Sequence, residues 1–233
     1  MKSGAAILVY GPNGRSGEPL GYISKSFNFF GDYYFTTDCT VAMNNPKLSS
    51  GALTNPAKPK GYANIGFTST FAPTFGTSSS SFAYMGGTPE TPAGSVPVSS
   101  TQHSDGEGNS YFIESNIWSL GADNELIPTW VNPDGNPAHT EIGYVPGAMN
   151  SIVITGSLSA FHDNYSDAKD VVQIRLFLAD QFTRVDLAQS GPEDDQYGSL
   201  PKEEVETLFD TAVPNISVPR QGGHVVFVAF GQS

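Results

Sequence analysis

The chain has 233 residues, enough for one large β-sandwich or barrel or for two small domains, and its 12% aromatic content sets it apart from low-complexity disorder. A formal net charge of -12 repels phosphate backbones and anionic lipid surfaces, so neither nucleic acid nor membrane is expected as a partner. A single cysteine, Cys39, excludes an internal disulfide and fits a reducing compartment; beside Asp38 and Thr40 it reads as a small buried hydrophobe.

Ala5 to Tyr10 is a β-type run stopped by Gly11-Pro12-Asn13-Gly14. It is too short for a signal peptide or a membrane span, which points to a cytoplasmic protein, although a mature chain whose leader was replaced by Met fits equally. Leu20 to Ile23 leads into the aromatic stretch Phe27 to Phe35, with a hairpin turn near Gly31-Asp32. Residues 44 to 61, rich in Asn, Pro, Lys and Gly, read as a loop, and Ile65 to Phe71 as a strand. Residues 72 to 110 read as a long surface loop or lid, interrupted by the apolar patch Phe82-Ala83-Tyr84-Met85.

Tyr111 to Val131 has the pattern of one hairpin turning at Gly121 to Asn124. Glu141 to Val145 and Ser151 to Thr155 form a second pair. Ser157 to Phe161 suits one helical turn. Val172, Ile174, Leu176 and Leu178 alternate with Gln173 and Arg175, as in a half-buried strand. Residues 199 to 210 combine a Ser cap, an early Pro and first-turn carboxylates, which predicts the most helical segment. Val225 to Phe230 reads as a central strand. The expected fold is therefore all-β, a single domain over residues 1 to 233. It is an antiparallel sandwich or barrel with long loops and one short helix near the C-terminus.

Chemistry is sparse. Ile7 to Tyr10 followed by Gly11, Gly14 and Gly17 imitates a dinucleotide-binding loop, but Pro19 and Gly21 break the helix such a loop requires. That segment reads as a hairpin loop. His103, His139, His162 and His224 share no ligand spacing, so no metal is expected. His162 to Asp167 fails as a calcium loop for lack of the glycine, and no nucleophile elbow occurs. Glu193 to Asp195 and Glu203-Glu204 read most simply as solvated faces, with paired carboxylates for glycoside hydrolysis as the alternative, since carboxylate separation is a three-dimensional property. The aromatics are more informative. Their simplest role is core and cross-strand packing; their functional role is a concave site for a planar ligand or a sugar. The residues assigned to that site are Trp118, Trp130, Phe29, Phe30, Tyr33, Tyr34, Tyr84 and Tyr111.

Three segments together carry a resemblance: Leu20 to Gly31, Phe82 to Pro89, and Ser115 to Leu120 with Asn124 to Gly135. They resemble a largely unassigned family of small β-rich proteins of basidiomycete fungi, over roughly residues 1 to 162. By size and source the chain is also similar to the pink chromoproteins of oyster mushrooms, which carry a planar indolone-type pigment. The resemblance implies a fungal source and a β fold, and no binding residue. The expected function is a non-enzymatic, pigment-type small-molecule carrier, with a fruiting-body lectin as runner-up and a hydrolase third. The expected partners are a planar ligand or sugar and, at most, further copies of the chain.

Overall fold

Ile7, Val9, Ile23, Leu126, Leu176 and Leu178 from one set of strands meet Ile65, Phe67, Met85, Ile142, Ile152 and Ile154 from another in a single core. The computed structural model describes residues 2–3, 5–104, 108–165 and 169–179. All of these belong to one structural unit. The expected helix at 199 to 210, the expected strand at Val225 to Phe230, the acidic runs and His224 lie outside the described residues.

The strands in chain order are β1 Lys2–Ser3, β2 Ile7–Tyr10, β3 Gly21–Phe27, β4 Tyr33–Thr36, β5 Lys47–Ser49, β6 Ala52–Thr54, β7 Asn64–Ser69 and β8 Phe82–Thr88. They continue as β9 Val98–Ser100, β10 Tyr111–Glu114, β11 Trp118–Leu120, β12 Glu125–Pro128, β13 Glu141–Val145, β14 Ser151–Thr155, β15 Val172–Gln173 and β16 Arg175–Leu178, with helix α1 at Leu158–Asn164. All pairings are antiparallel. One sheet runs β1-β5-β6-β7-β8-β14-β13-β15, with β10 joining β7 to β9; the other runs β11-β12-β16-β2-β3-β4. Neither closes on itself, so the fold is a sandwich and not a barrel.

Alternation sets each strand's two faces. In β8, Ala83 and Met85 face the core while Phe82 and Tyr84 join a second cluster on the outer face, with Val153, Val145 and Phe161 of α1. α1 starts where Ser157 accepts the Ala160 N–H and Glu141 Oε2 accepts the Leu158 N–H at 2.6 Å. Gly143 lies beneath it; a Cβ there would stand 2.7 Å from Leu158 Cδ2.

Several expected elements change. The 72 to 110 stretch contains β8, a strand paired on both sides by β7 and β14, and the edge strand β9. Its Gly86-Gly87 pair and flanking Pro and Ser mask the strand pattern. Residues 44 to 61 contain the β5–β6 hairpin, whose Ser50 and Gly51 both take positive φ, 51° and 87°. The Tyr111 to Val131 hairpin is two structures: β10 pairs with β7, and the chain then crosses to the opposite sheet, where Trp118 pairs with Pro128. Val172 departs from the apolar face predicted for it: it is 42% exposed on edge strand β15, and the chain changes sheets at Ile174 before β16. Cys39 is exposed, because it sits in a turn where Asp38 accepts the Thr40 N–H, outside the ladder. The Gly11–Gly17 segment is the expected hairpin loop, with Val9 paired to Gly21 across it.

Candidate functional site

The eight aromatics assigned from sequence do not converge. Trp118 and Trp130 are sealed in the core, 3% and 0% exposed. Each indole N–H donates to a backbone carbonyl, Trp118 to Ile65 at 2.6 Å and Trp130 to Pro73 at 3.2 Å. Their rings pack on Phe67 and Phe75. Tyr33 is also buried, and that burial raises its phenol pKa. Tyr111 is buried in a stack on His103, with ring centroids 4.2 Å apart. Tyr84 lies on the outer face beside Phe82. Tyr34 is half-buried on β4. Phe29 and Phe30 occupy the β3–β4 turn, where Phe29 is 91% exposed.

That turn is rigid. Asn28 Oδ1 accepts the N–H groups of Phe30 and Asp32, and its amide donates to Met149 O and Ser151 Oγ. Ser151 Oγ also lies 2.9 Å from Asp32 Oδ2. Gly31 closes the turn with φ 93°. A second buried carboxylate, Glu114, accepts the Val131 N–H where the chain passes between sheets. Burial pushes its pKa up to about 8, against the lowering effect of that hydrogen bond. Among the described residues no three His, Cys, Asp or Glu side chains are grouped as metal ligands. His103 is buried, His139 lies 3.9 Å from Glu141, and His162 pairs with its neighbour Asp163.

Among the described residues, an aromatic and partly open arrangement that also holds a cation lies beside Phe27. Loop 55–62 crosses the end of β3 and is pinned by Asn55, which is fully buried. Its amide donates to Lys25 O and to Tyr33 Oη, at 3.2 and 3.3 Å, and its Oδ1 accepts the Ala57 N–H. Further bonds run from Lys58 N–H to Asn55 O and from Tyr62 N–H to Pro59 O. This places the Lys58 ammonium 3.8 Å from the centroid of the Phe27 ring, a cation–π contact. Desolvation lowers the Lys58 pKa. Tyr62 is 36% exposed and adjacent: a Cβ on Gly87 would stand 2.6 Å from Phe27 Cζ and 3.1 Å from Tyr62 Cβ. Phe27 was in the stretch noted from sequence. Lys58, Tyr62 and Asn55 were not, and the Asn-Pro and Lys-Pro steps signal only a turn, not what it covers.

No protein-family model, curated protein or solved structure matches this chain. Among the described residues no helix is long and apolar enough to cross a membrane.

Proposed function

We propose that the protein is a non-enzymatic binding module that holds a small planar molecule, of the pigment type, against Phe27 and Tyr62. The observation that carries this reading is the Lys58 ammonium fixed over the Phe27 ring on a hydrogen-bonded loop that also carries the partly exposed Tyr62, whose Cβ borders Gly87 as Phe27 does. Flat π-systems gain contact area and stacking geometry from such rings. A loop already ordered in the free protein spares the ligand the cost of ordering it. The lectin alternative would set tryptophan or tyrosine faces against sugar rings; both tryptophans are enclosed, which leaves it the tyrosines alone. The hydrolase alternative gains nothing from Ser151 and Asp32, which are both fully buried and brace the Asn28 turn.

The test is the absorption spectrum of protein purified from its natural source, followed by mass spectrometry of what denaturation releases. A band beyond the tyrosine and tryptophan region, leaving with a released small molecule, is expected. A spectrum of protein aromatics alone, with no released molecule, contradicts the reading.

A further inference from the structure

Among the described residues three cationic side chains lie against aromatic rings in different surroundings: the exposed Arg15, 5.1 Å from the Phe177 centroid, Arg175 and the half-buried Lys58. Arg175, 5.6 Å from the Phe177 centroid, is neutralised by Glu125: Nε donates to Oε1 at 2.6 Å and Nη2 donates to Oε2. Lys58, over Phe27, has no carboxylate within ion-pair reach among the described residues. A half-buried ammonium has lost part of its hydration, and a ring face returns only part of that loss. The unmatched charge is therefore complementary to an anion arriving from outside.

The surrounding sequence favours the same sign. The first 89 residues hold six of the 11 basic side chains, Lys2, Arg15, Lys25, Lys47, Lys58 and Lys60, but only three of the 23 acidic ones, Glu18, Asp32 and Asp38. Asp32 is buried and engaged with Ser151. Lys60, exposed and two residues from Lys58, adds to the positive field at the loop. A chain of net charge -12 repels anions at long range, so an acidic ligand is admitted only where the local field is reversed.

Resting on the binding role proposed above, we infer that the ligand carries an acidic group, a carboxylate, sulfate or phosphate, that pairs with Lys58 while its ring system lies against Phe27 and Tyr62. Lys58 thus sets which planar molecules the site accepts, and binding raises the ammonium's own pKa back toward that of a paired lysine.

Two probes of one shape separate this from simple stacking: 2-naphthoate and its neutral counterpart 2-naphthamide, titrated into the full chain by calorimetry at low salt. The naphthoate should bind about fivefold tighter, the upper range for a half-exposed ion pair, and the preference should shrink as salt rises. Lys58→Met keeps an apolar stem over Phe27 and should abolish the preference, so that the two probes bind alike. Lys25→Met removes an equal charge elsewhere, where the ammonium is bonded to Thr40 O, and should keep the preference. Tyr62→Ala should weaken both probes. Equal binding of the two probes to the unmodified protein, or a preference that survives Lys58→Met, overturns the acidic-ligand inference and leaves the stacking site standing. Failure of both probes to bind overturns both.

Discussion

The core tryptophans and the Phe27–Tyr62 surface are made of the same kind of side chain, yet they differ in how completely each polar atom is matched. Trp118 and Trp130 have their N–H groups bonded to the carbonyls of Ile65 and Pro73 and their rings packed on Phe67 and Phe75. Nothing is left for a ligand to complete. At the end of β3, Phe27 faces a lysine with no acid in ion-pair reach among the described residues, Tyr62 is partly open, and the loop beneath is fixed by the buried Asn55. Aromatic content marks where a β-sandwich packs; an unmatched charge on a rigid aromatic surface marks where it can recognise something.

The contrast can be broken most forcefully at Trp118. Trp118→Ala should cost roughly 3–5 kcal/mol of stability, measured by urea unfolding, with probe affinity per folded molecule unchanged. A smaller effect sits at Glu114, the interior's own poorly solvated acid. Its carboxyl keeps its proton in the folded state up to about pH 8, whereas in the unfolded chain it ionises near 4.5. The contribution to stability is therefore complete below about pH 4.5 and is lost as pH rises toward 8. Urea midpoints should fall over that window, and Glu114→Gln should flatten the fall.

Gly87→Ala sharpens the surface side of the comparison. The new methyl would meet Phe27 Cζ at 2.6 Å and Tyr62 O at 2.9 Å, so Phe27 and the loop must separate. Overpacking of this kind costs about 1–3 kcal/mol, and probe binding should weaken with it. The smallest change expected is Phe29→Ser: with the ring 91% exposed, stability should stay within about 0.5 kcal/mol.

The sandwich was legible where apolar runs or alternation were bounded by clear turn residues. Ile7 to Tyr10 forms a strand as its β-type run predicts, Phe27 and Tyr33 face each other across the expected hairpin, Glu141 to Val145 pairs with Ser151 to Thr155, and Leu176 to Leu178 forms a strand as its alternation predicts. Phe82 to Thr88 was hidden because Gly86 and Gly87 carry no β signal; Gly87 is glycine for the sake of Phe27 and Tyr62, which crowd the place of its Cβ. The hairpin read into Tyr111 to Val131 holds around its turn at Gly121 to Asn124, where Trp118 to Leu120 pairs with Leu126 to Pro128, and departs over Tyr111 to Glu114, because alternation cannot show which sheet a strand joins and the crossing at Ser115 to Ile117 lies between two short, well-patterned pieces. The candidate site was legible only through Phe27. Lys58 reaches it across a contact between residues far apart along the chain, and Tyr62 borders it through Gly87, neither of which a local pattern encodes.

The most direct measurement is the dissociation constant of 2-naphthoate for three variants whose folding is checked by near-ultraviolet circular dichroism: the unmodified chain, Tyr62→Ala and Trp118→Phe. The account predicts an unchanged constant for Trp118→Phe and a clear weakening, on the order of tenfold for the loss of one stacking ring, for Tyr62→Ala. A constant that moves with Trp118→Phe and stays fixed with Tyr62→Ala would place recognition at the tryptophans and contradict the account.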